Sequence, residues 1–314
     1  DDDDASFSTF VLDESLTTHS VWSAGVANGR EYVIIRDDST GPNYDHFVYK
    51  RDIPSDGFSD YFNGWEVSKL NLPNPPLSGD SSTVMIHSFT EGDSGSLVMC
   101  AHNGSGAWLL RSDDDMVTFT AHLIQQSSAA EEATVKFYNG QYYGFMRNGG
   151  GSNPKYWHSD GVNLNKLSLY TAPAGTFGAN PLDDCPMPLQ IDSSGKIHAF
   201  VAYRNGTLEG RNSESHASMF YVTFDVTDGN PWNNADVYRL GVAYHAETGG
   251  ASALGVGSVV LHNDKINIYG GSEGRTGNPH TKQRTADIFQ FSFPIKKSWG
   301  AWDHRQRIAN NAVA

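Results

Sequence analysis

The feature that most constrains this chain is one unit written five times: "SVWSAGVANGREYVIIRDD", "STVMIHSFTEGDSGSLVMCAH", "ATVKFYNGQYYGFMRNG", "MPLQIDSSGKIHAFVAYRNG" and "ALGVGSVVLHNDKINIYGG". Each copy is an apolar run, a tight turn of Gly, Asn or Asp, and a second run rich in aromatic and β-branched residues, which is the pattern of a β-hairpin. Further strand-like runs follow each hairpin, among them "HFVYKRDI", "GWEVSKL", "AWLLRS", "VTFTAHLI", "SMFYVTFDV" and "DIFQFSF". Roughly four strands per unit, spaced by several tens of residues, is the signature of propeller blades. A sandwich or simple barrel would need fewer strands at shorter spacing, and no helical period runs anywhere. The expectation is an all-β chain, a β-propeller of four-stranded blades, with five blades legible. The terminal segments "SFSTFVLDE" and "SWGAWDHRQR" either close the last blade or contribute a sixth.

No Pro/Ser-rich linker divides the chain, so residues 1–314 read as one domain. "DDSTGPNYD", "GSNPKYWHSDGVNLN" and "EGRNSESHAS" read as long loops, where function is usually carried. The leading "DDDDA" reads as a disordered end or cut site and lacks the basic and apolar regions of a signal peptide, so a piece of a longer chain is expected. No stretch has the apolar length to span a bilayer, so no membrane insertion is expected.

Composition agrees with many short strands and polar turns: 32 glycines, 12% aromatic residues and only 18% charged ones. A formal charge of -14 repels phosphate backbones, which argues against a nucleic-acid partner. An acidic ligand would need local arginines working against that field. Cys100 and Cys185 are too few for a four-thiolate metal site and read as buried thiols. "RSDDD" and "LDD" lack calcium-loop spacing, and "NGGGSNPK" does not open a helix as a phosphate loop does. No metal and no cofactor are expected. The sequons at Asn103 and Asn205 matter only where the source glycosylates.

Register places charges together. With Asn139 and Gly140 as a two-residue turn, Tyr138 pairs with Gln141, Lys136 with Tyr143, Thr134 with Phe145 and Glu132 with Arg147. In a blade the innermost strand starts on the face where the second strand ends, so Glu132 and Arg147 fall at one mouth of the central channel. Arg36 and Arg204 end the second strands of two other hairpins and reach the same rim. A guanidinium fork binds a carboxylate through two parallel hydrogen bonds, so converging arginines suit an acidic ligand. Taken singly, an arginine at a strand end is most often a solvated surface residue.

His19, which opens the first inner strand, and Asp184, before the fourth, are candidate proton donors, with hydrogen-bonded capping the plainer role for His19. Trp22, Tyr142 and Trp157 are candidates for stacking on sugar rings, against the commoner role of aromatics as packing between blades. Tyr203 points across its strand from Arg204 and reads as core.

Two family resemblances sharpen this. "SDDDMVTF", Ser112 to Phe119, resembles the Asp-box turn that sialidase propellers repeat, with Met116 where that pattern has Gly. "EATVKFYNG" then "YYGFMRNG", "KIHAFVAYRN" and "ALGVGSVVLHNDKINIYGG" resemble, in order and spacing, the catalytic propeller of phage endosialidases, over roughly residues 125 to 275. The resemblance implies a glutamate and two arginines in the active site, carried here onto Glu132, Arg147 and Arg204. It further implies an endo-acting glycosidase on an acidic capsular or surface polysaccharide containing a sialic-acid-like sugar. The implied setting is an extracellular virion tail and a homotrimer. Ala133 departs from the proline of the family pattern, and Glu131 stands beside Glu132, with parity favouring Glu132. A receptor-binding propeller that holds the polymer without cutting it, and a five-bladed glycosidase or lyase for neutral or uronic sugars, are the alternatives.

Overall fold

The computed structural model describes residues 19–37, 45–53, 64–73, 76–77, 84–149, 153–177, 187–207, 215–245, 253–262, 265–275 and 284–294. These residues form five antiparallel sheets. The first holds β1 (His19–Ala27), β2 (Arg30–Asp37), β3 (Asp45–Asp52) and β4 (Glu66–Lys69). The second holds β5 (Met85–Glu91), β6 (Leu97–Asn103), β7 (Gly106–Ser112) and β8 (Thr120–Gln126). In the third, β9 (Ala130–Ala133) and β10 (Lys136–Tyr138) are two pieces of one innermost strand, both paired with β11 (Gln141–Asn148), and β12 (Lys155–Asp160) and β13 (Asn163–Thr171) complete the sheet. The fourth holds β14 (Leu189–Ile191), β15 (Lys196–Thr207), β16 (Ser215–Asp225) and β17 (Asp236–His245). The fifth shows β18 (Ala253–His262), β19 (Lys265–Arg275) and β20 (Arg284–Pro294). Each sheet is a meander whose first strand packs against the first strand of the next sheet, the arrangement of propeller blades around a channel.

Local chemistry explains the hairpins. Asn28 and Gly29 have φ of 50° and 72°, and Asn139 and Gly140 have 48° and 79°. Positive φ at both central residues is the turn whose twist matches two paired strands, and Asn-Gly is the dipeptide that tolerates it. The pairs flanking the turns, Ala27 with Arg30 and Tyr138 with Gln141, then set the register as far as Ser23 opposite Ile34 in the first hairpin and Ala133 opposite Met146 in the third. At the fourth hairpin Asp192 Oδ1 accepts from the backbone N–H groups of Ser194 and Lys196, and Gly195 takes φ 86°.

Three apolar clusters lie between successive sheets. β6 is buried along its full length: Leu97 and Met99 face the cluster shared with the first sheet, Val98 and Cys100 the cluster shared with the third. A strand covered on both faces loses polar alternation, and each such side chain contributes about 1.5–3 kcal/mol of burial free energy. Side chains also tie the inner strands together. Ser88 Oγ accepts from Val135 N, Thr134 Oγ1 donates to Met187 O, and Gln190 Nε2 donates to Val259 O.

The Asp-box turn forms as its sequence predicts. Ser112 Oγ accepts from Met116 N at 2.9 Å, and Asp114 accepts from Thr118 N and Thr118 Oγ1 at 2.8 and 2.6 Å. Met116 adopts φ 67°, the conformation for which the pattern uses Gly, and burial of its side chain in the cluster between the first and second sheets offsets that strain.

Two expectations need correction. "GSNPKYWHSDGVNLN" is not a long loop: it carries β12 and opens β13. Its adjacent Tyr156 and Trp157 are both buried, one in the cluster toward the fourth sheet and the other in the cluster toward the second, so no alternation marks the strand. "EGRNSESHAS" is partly strand, because β16 begins at Ser215. The sequon asparagine Asn103 is 1% exposed, with Oδ1 accepting from Ser105 N and Nδ2 donating to Pro76 O, so it is no open acceptor for a glycan. Most of "DDSTGPNYD", together with Asp184, Cys185 and the two terminal segments, lies outside the described residues. Cys100 is a buried free thiol whose pKa burial pushes well up.

Candidate functional site

The hairpin registers divide each blade into two ends. At one end sit the turns. At the other, the start of each inner strand meets the end of the second: Ser20 opposite Arg36, Met85 opposite His102, Ala133 opposite Met146. The mouth at this second end is the candidate site.

The third hairpin keeps the register expected from its Asn-Gly turn as far as Ala133 and Met146, then slips by one residue before Ala130 pairs with Asn148. The slip places two carboxylates on one guanidinium. Arg147 Nη1 donates to Glu132 Oε2 at 2.8 Å and Oε1 at 3.0 Å, and lies 2.9 Å from Glu131 Oε2. The side chains of Arg147 and Glu132 are 12% and 15% exposed, so the pair is shielded from bulk water without being closed off. Gly149 makes room for Glu131: a Cβ there would lie 2.0 Å from Glu131 Oε1.

Next to this pair the second sheet contributes two histidines. His87 Nε2 and His102 Nδ1 are 2.7 Å apart, with one donating and the other accepting, and the rings stack at 4.8 Å between centroids and 16° between planes. His102 is 8% exposed, while His87 keeps part of its surface open. Burial lowers the pKa of His87 well below the usual imidazole value, and the charges of His102, Arg147 and Arg36 lower it further. Burial also lowers the pKa of His102, with Glu132 opposing and Arg147 reinforcing that shift. Charges from three sheets therefore act on the histidine pair: Arg36 and Arg147 on His87, and Glu132 and Arg147 on His102.

The other candidates divide. Arg36 is half-buried near the end of β2, paired in register with Ser20 and His46. Arg204 lies on β15 in the irregular stretch between Tyr203 and Gly206, at the mouth end of its hairpin, and His19 opens β1 opposite Asp37. The side chains of His19, Trp22, Tyr203 and Arg204 are outside the described atoms.

Tyr142 and Trp157 are corrected as sugar-stacking residues, because both are 0% exposed. Tyr142 points toward the turn end, where its hydroxyl donates to Asp93 Oδ1 at 2.7 Å and accepts from Asp93 N at 3.2 Å. Trp157 packs over Gly144, where a Cβ would stand 2.5 Å from the indole and 1.9 Å from Thr134 O.

The histidine pair was missed by counting arginines alone. "MCAHN" ends the second strand of its hairpin with His102, the position that Arg36, Arg147 and Arg204 hold in theirs. Among the described residues no group of three or more His, Cys, Asp or Glu is placed to hold a metal ion, and no helix is long and apolar enough to cross a membrane. A shallow depression of about 540 Å³, lined by Gln141, His158, Asp160 and Lys166, lies at the turn end of the third sheet, away from Glu132.

No family model and no curated protein matches the chain. Solved structures do. A protein of unknown function from Dyadobacter fermentans superposes with a TM-score of 0.58 at 13% identity, over 87% of this chain and 75% of its own. A Trypanosoma rangeli sialidase in complex with sialic acid gives 0.54 at 13% identity, over 94% of this chain and 48% of that one. The GH93 α-L-arabinofuranosidase of Fusarium graminearum in complex with arabinobiose gives 0.52 at 12%, over 88% and 94%. The fold is therefore the β-propeller shared with sialidases and GH93 glycosidases. At these identities the likeness is one of fold, and the residues of the mouth stand on their own geometry.

Proposed function

We propose that this chain is an endo-acting glycoside hydrolase for an acidic polysaccharide containing a sialic-acid-like sugar. The observation that carries the reading is Glu132, held by both oxygens on Arg147 at the channel mouth. Glycoside hydrolysis passes through an oxocarbenium-like state that a nearby carboxylate stabilises, or whose attacking water it activates. Glu132, oriented by Arg147, has that role. Arg204 and Arg36, with Arg147, supply guanidinium groups for the sugar carboxylate, a local positive field within a chain of net charge -14. Two of the structural neighbours are glycosidases, which supports the reaction class. The sequence resemblance to phage endosialidases supports a bacterial capsule or surface polymer as substrate, a homotrimer as the assembly, and an extracellular virion tail as the location.

The test is incubation with a panel of acidic capsular polysaccharides, polysialic acid included, following new reducing ends for the parent, Glu132→Ala and Arg204→Ala. Release by the parent and none by Glu132→Ala is expected. Binding without release by every form would instead make the mouth a receptor reader.

A further inference from the structure

We infer that His87 is the proton donor to the departing glycosidic oxygen and that His102 is its positioning residue. The inference rests on the glycosidase reading and supplies what that reading lacks, a described group able to protonate a leaving group.

The geometry comes from a device that recurs around the channel. In β5 the pairing jumps from Ile86 opposite Ala101 to Ser88 opposite Cys100, leaving His87 as an extra residue. β1 makes the same jump across Val21 and Ser23, leaving Trp22, and β18 across Val256 and Ser258, leaving Gly257. Three innermost strands thus carry a bulge in the same local sequence, an aliphatic residue, one variable residue and Ser. A bulge re-aims the side chain of its extra residue and is a common device beside active sites. The variable residue is Trp, His or Gly, so the position is free to carry function while the flanking residues keep the strand in place. Ser88 shows how: its Oγ accepts from Val135 N, three residues beyond Glu132. The bond holds β5 against the inner strand of the third sheet, setting the bulged His87 next to the strand that presents Glu132.

Protonation then follows from the surroundings. The charges that act on His87 are those of His102 from β6, Arg147 from β11 and Arg36 from β2, with Glu132 from β9 acting on His102. In the free protein burial and the two arginines hold His87 neutral. A sugar carboxylate bound by those arginines offsets their field and sets a negative charge beside the ring, opposing the larger effect of burial, so that the protonated fraction of His87 rises as an acidic substrate arrives. The proton on Nδ1 of the His87 imidazolium, the nitrogen that His102 does not engage, passes to the glycosidic oxygen as the bond from that oxygen to the anomeric carbon breaks. A water adds to the anomeric carbon and gives its proton to the Glu132 carboxylate. The products are two shorter chains, and the proton on Glu132 is lost to solvent. His102 accepts or donates at 2.7 Å according to the state of its partner and so fixes the ring through the cycle.

The test compares the parent, His87→Gln and His102→Gln on whichever polymer of the panel the parent cuts, from pH 5 to 8. His87→Gln should lower kcat by about 10²–10⁴-fold, the usual contribution of a positioned acid, with KM near the parent value. It should also lose the limb of the pH profile on which activity rises with acidity. His102→Gln should keep that limb, displaced along the pH axis, at a reduced rate. A histidine proton resonance that titrates below the usual imidazole range in the parent, moves upward on adding the polymer and vanishes in His87→Gln supports the assignment without relying on rates. Full activity and an unchanged profile in a folded His87→Gln overturn the inference and leave the glycosidase reading standing. If the parent cuts no polymer, the glycosidase reading fails and this one with it.

Discussion

The two ends of the same blades use the same residue types for different work. At the turn end Arg30 and Arg111 each sit among several carboxylates. Arg30 meets Asp52 at 2.9 Å, Glu66 at 3.2 Å and Asp115 at 2.7 Å, and Lys50 also binds Asp115. Arg111 meets Asp93 at 2.6 Å and Asp113 at 2.8 Å. Tyr32 and Tyr142 donate their hydroxyls into the same groups. Asp115 belongs to the second sheet and its partners to the first, while Asp93 joins the second sheet to Tyr142 of the third. This end is a set of staples with settled charge. At the mouth, two glutamates share one arginine nitrogen and two stacked histidines are held neutral by burial and nearby arginines. On the proposed reading, the histidines are the groups whose protonation an acidic ligand would change. The comparison teaches that an arginine's surroundings, more than its presence at a strand end, separate a staple from a working group.

The largest effect that would break the comparison is on catalysis. Glu132→Gln should lower reducing-end release by about 10²-fold or more, while the thermal midpoint stays close to the parent because Glu131 still engages Arg147. A comparable loss of stability would make Glu132 a staple like Asp115. The converse substitution, Asp115→Ala, removes the shared acceptor of Arg30, Lys50 and Tyr32 and should cost about 1–2 kcal/mol, the range for partly exposed charged hydrogen bonds, in a denaturant melt. Polymer cleavage by that variant should stay at the parent level.

A smaller effect is expected from pH. His87, His102 and His198 all have folded pKa values below the usual 6.5, chiefly through burial. The unfolded chain therefore binds more protons than the folded one below about pH 6.5, so stability present above that pH is lost progressively as the pH falls toward the folded values. Thermal midpoints measured from pH 7.5 down to 5 should fall, and His102→Gln should flatten that fall. Smallest is salt. Raising ionic strength from 0.05 to about 0.5 M should weaken polymer binding several-fold through screening at the mouth, with little movement of the melting temperature, since the staples are short and partly shielded.

The hairpins were legible because their causes are local. Asn28-Gly29 and Asn139-Gly140 impose positive φ within two residues, and counting outward from Asn139 leads to Glu132 facing Arg147. β12 was not legible because Tyr156 and Trp157 are buried by two different neighbouring sheets, which no period within the strand can show. Sequence left Tyr142 and Trp157 between sugar stacking and packing for the same reason: their covers, Asp93 and the groove above Gly144, lie elsewhere in the chain. His87 escaped because a bulge changes the parity on which the inward count depends.

By itself the sequence determined the turns, the hairpin registers and the recurrence of the blade, since these depend on backbone preferences and apolar patterning over a few residues. Only the tertiary structure decided that Glu131 joins Glu132 on Arg147, that His87 stacks on His102, and that the first three sheets bring these groups to one mouth. Such meetings depend on bulges, slips and the packing of one sheet on the next, where displacements of a few ångströms decide which charges share a field.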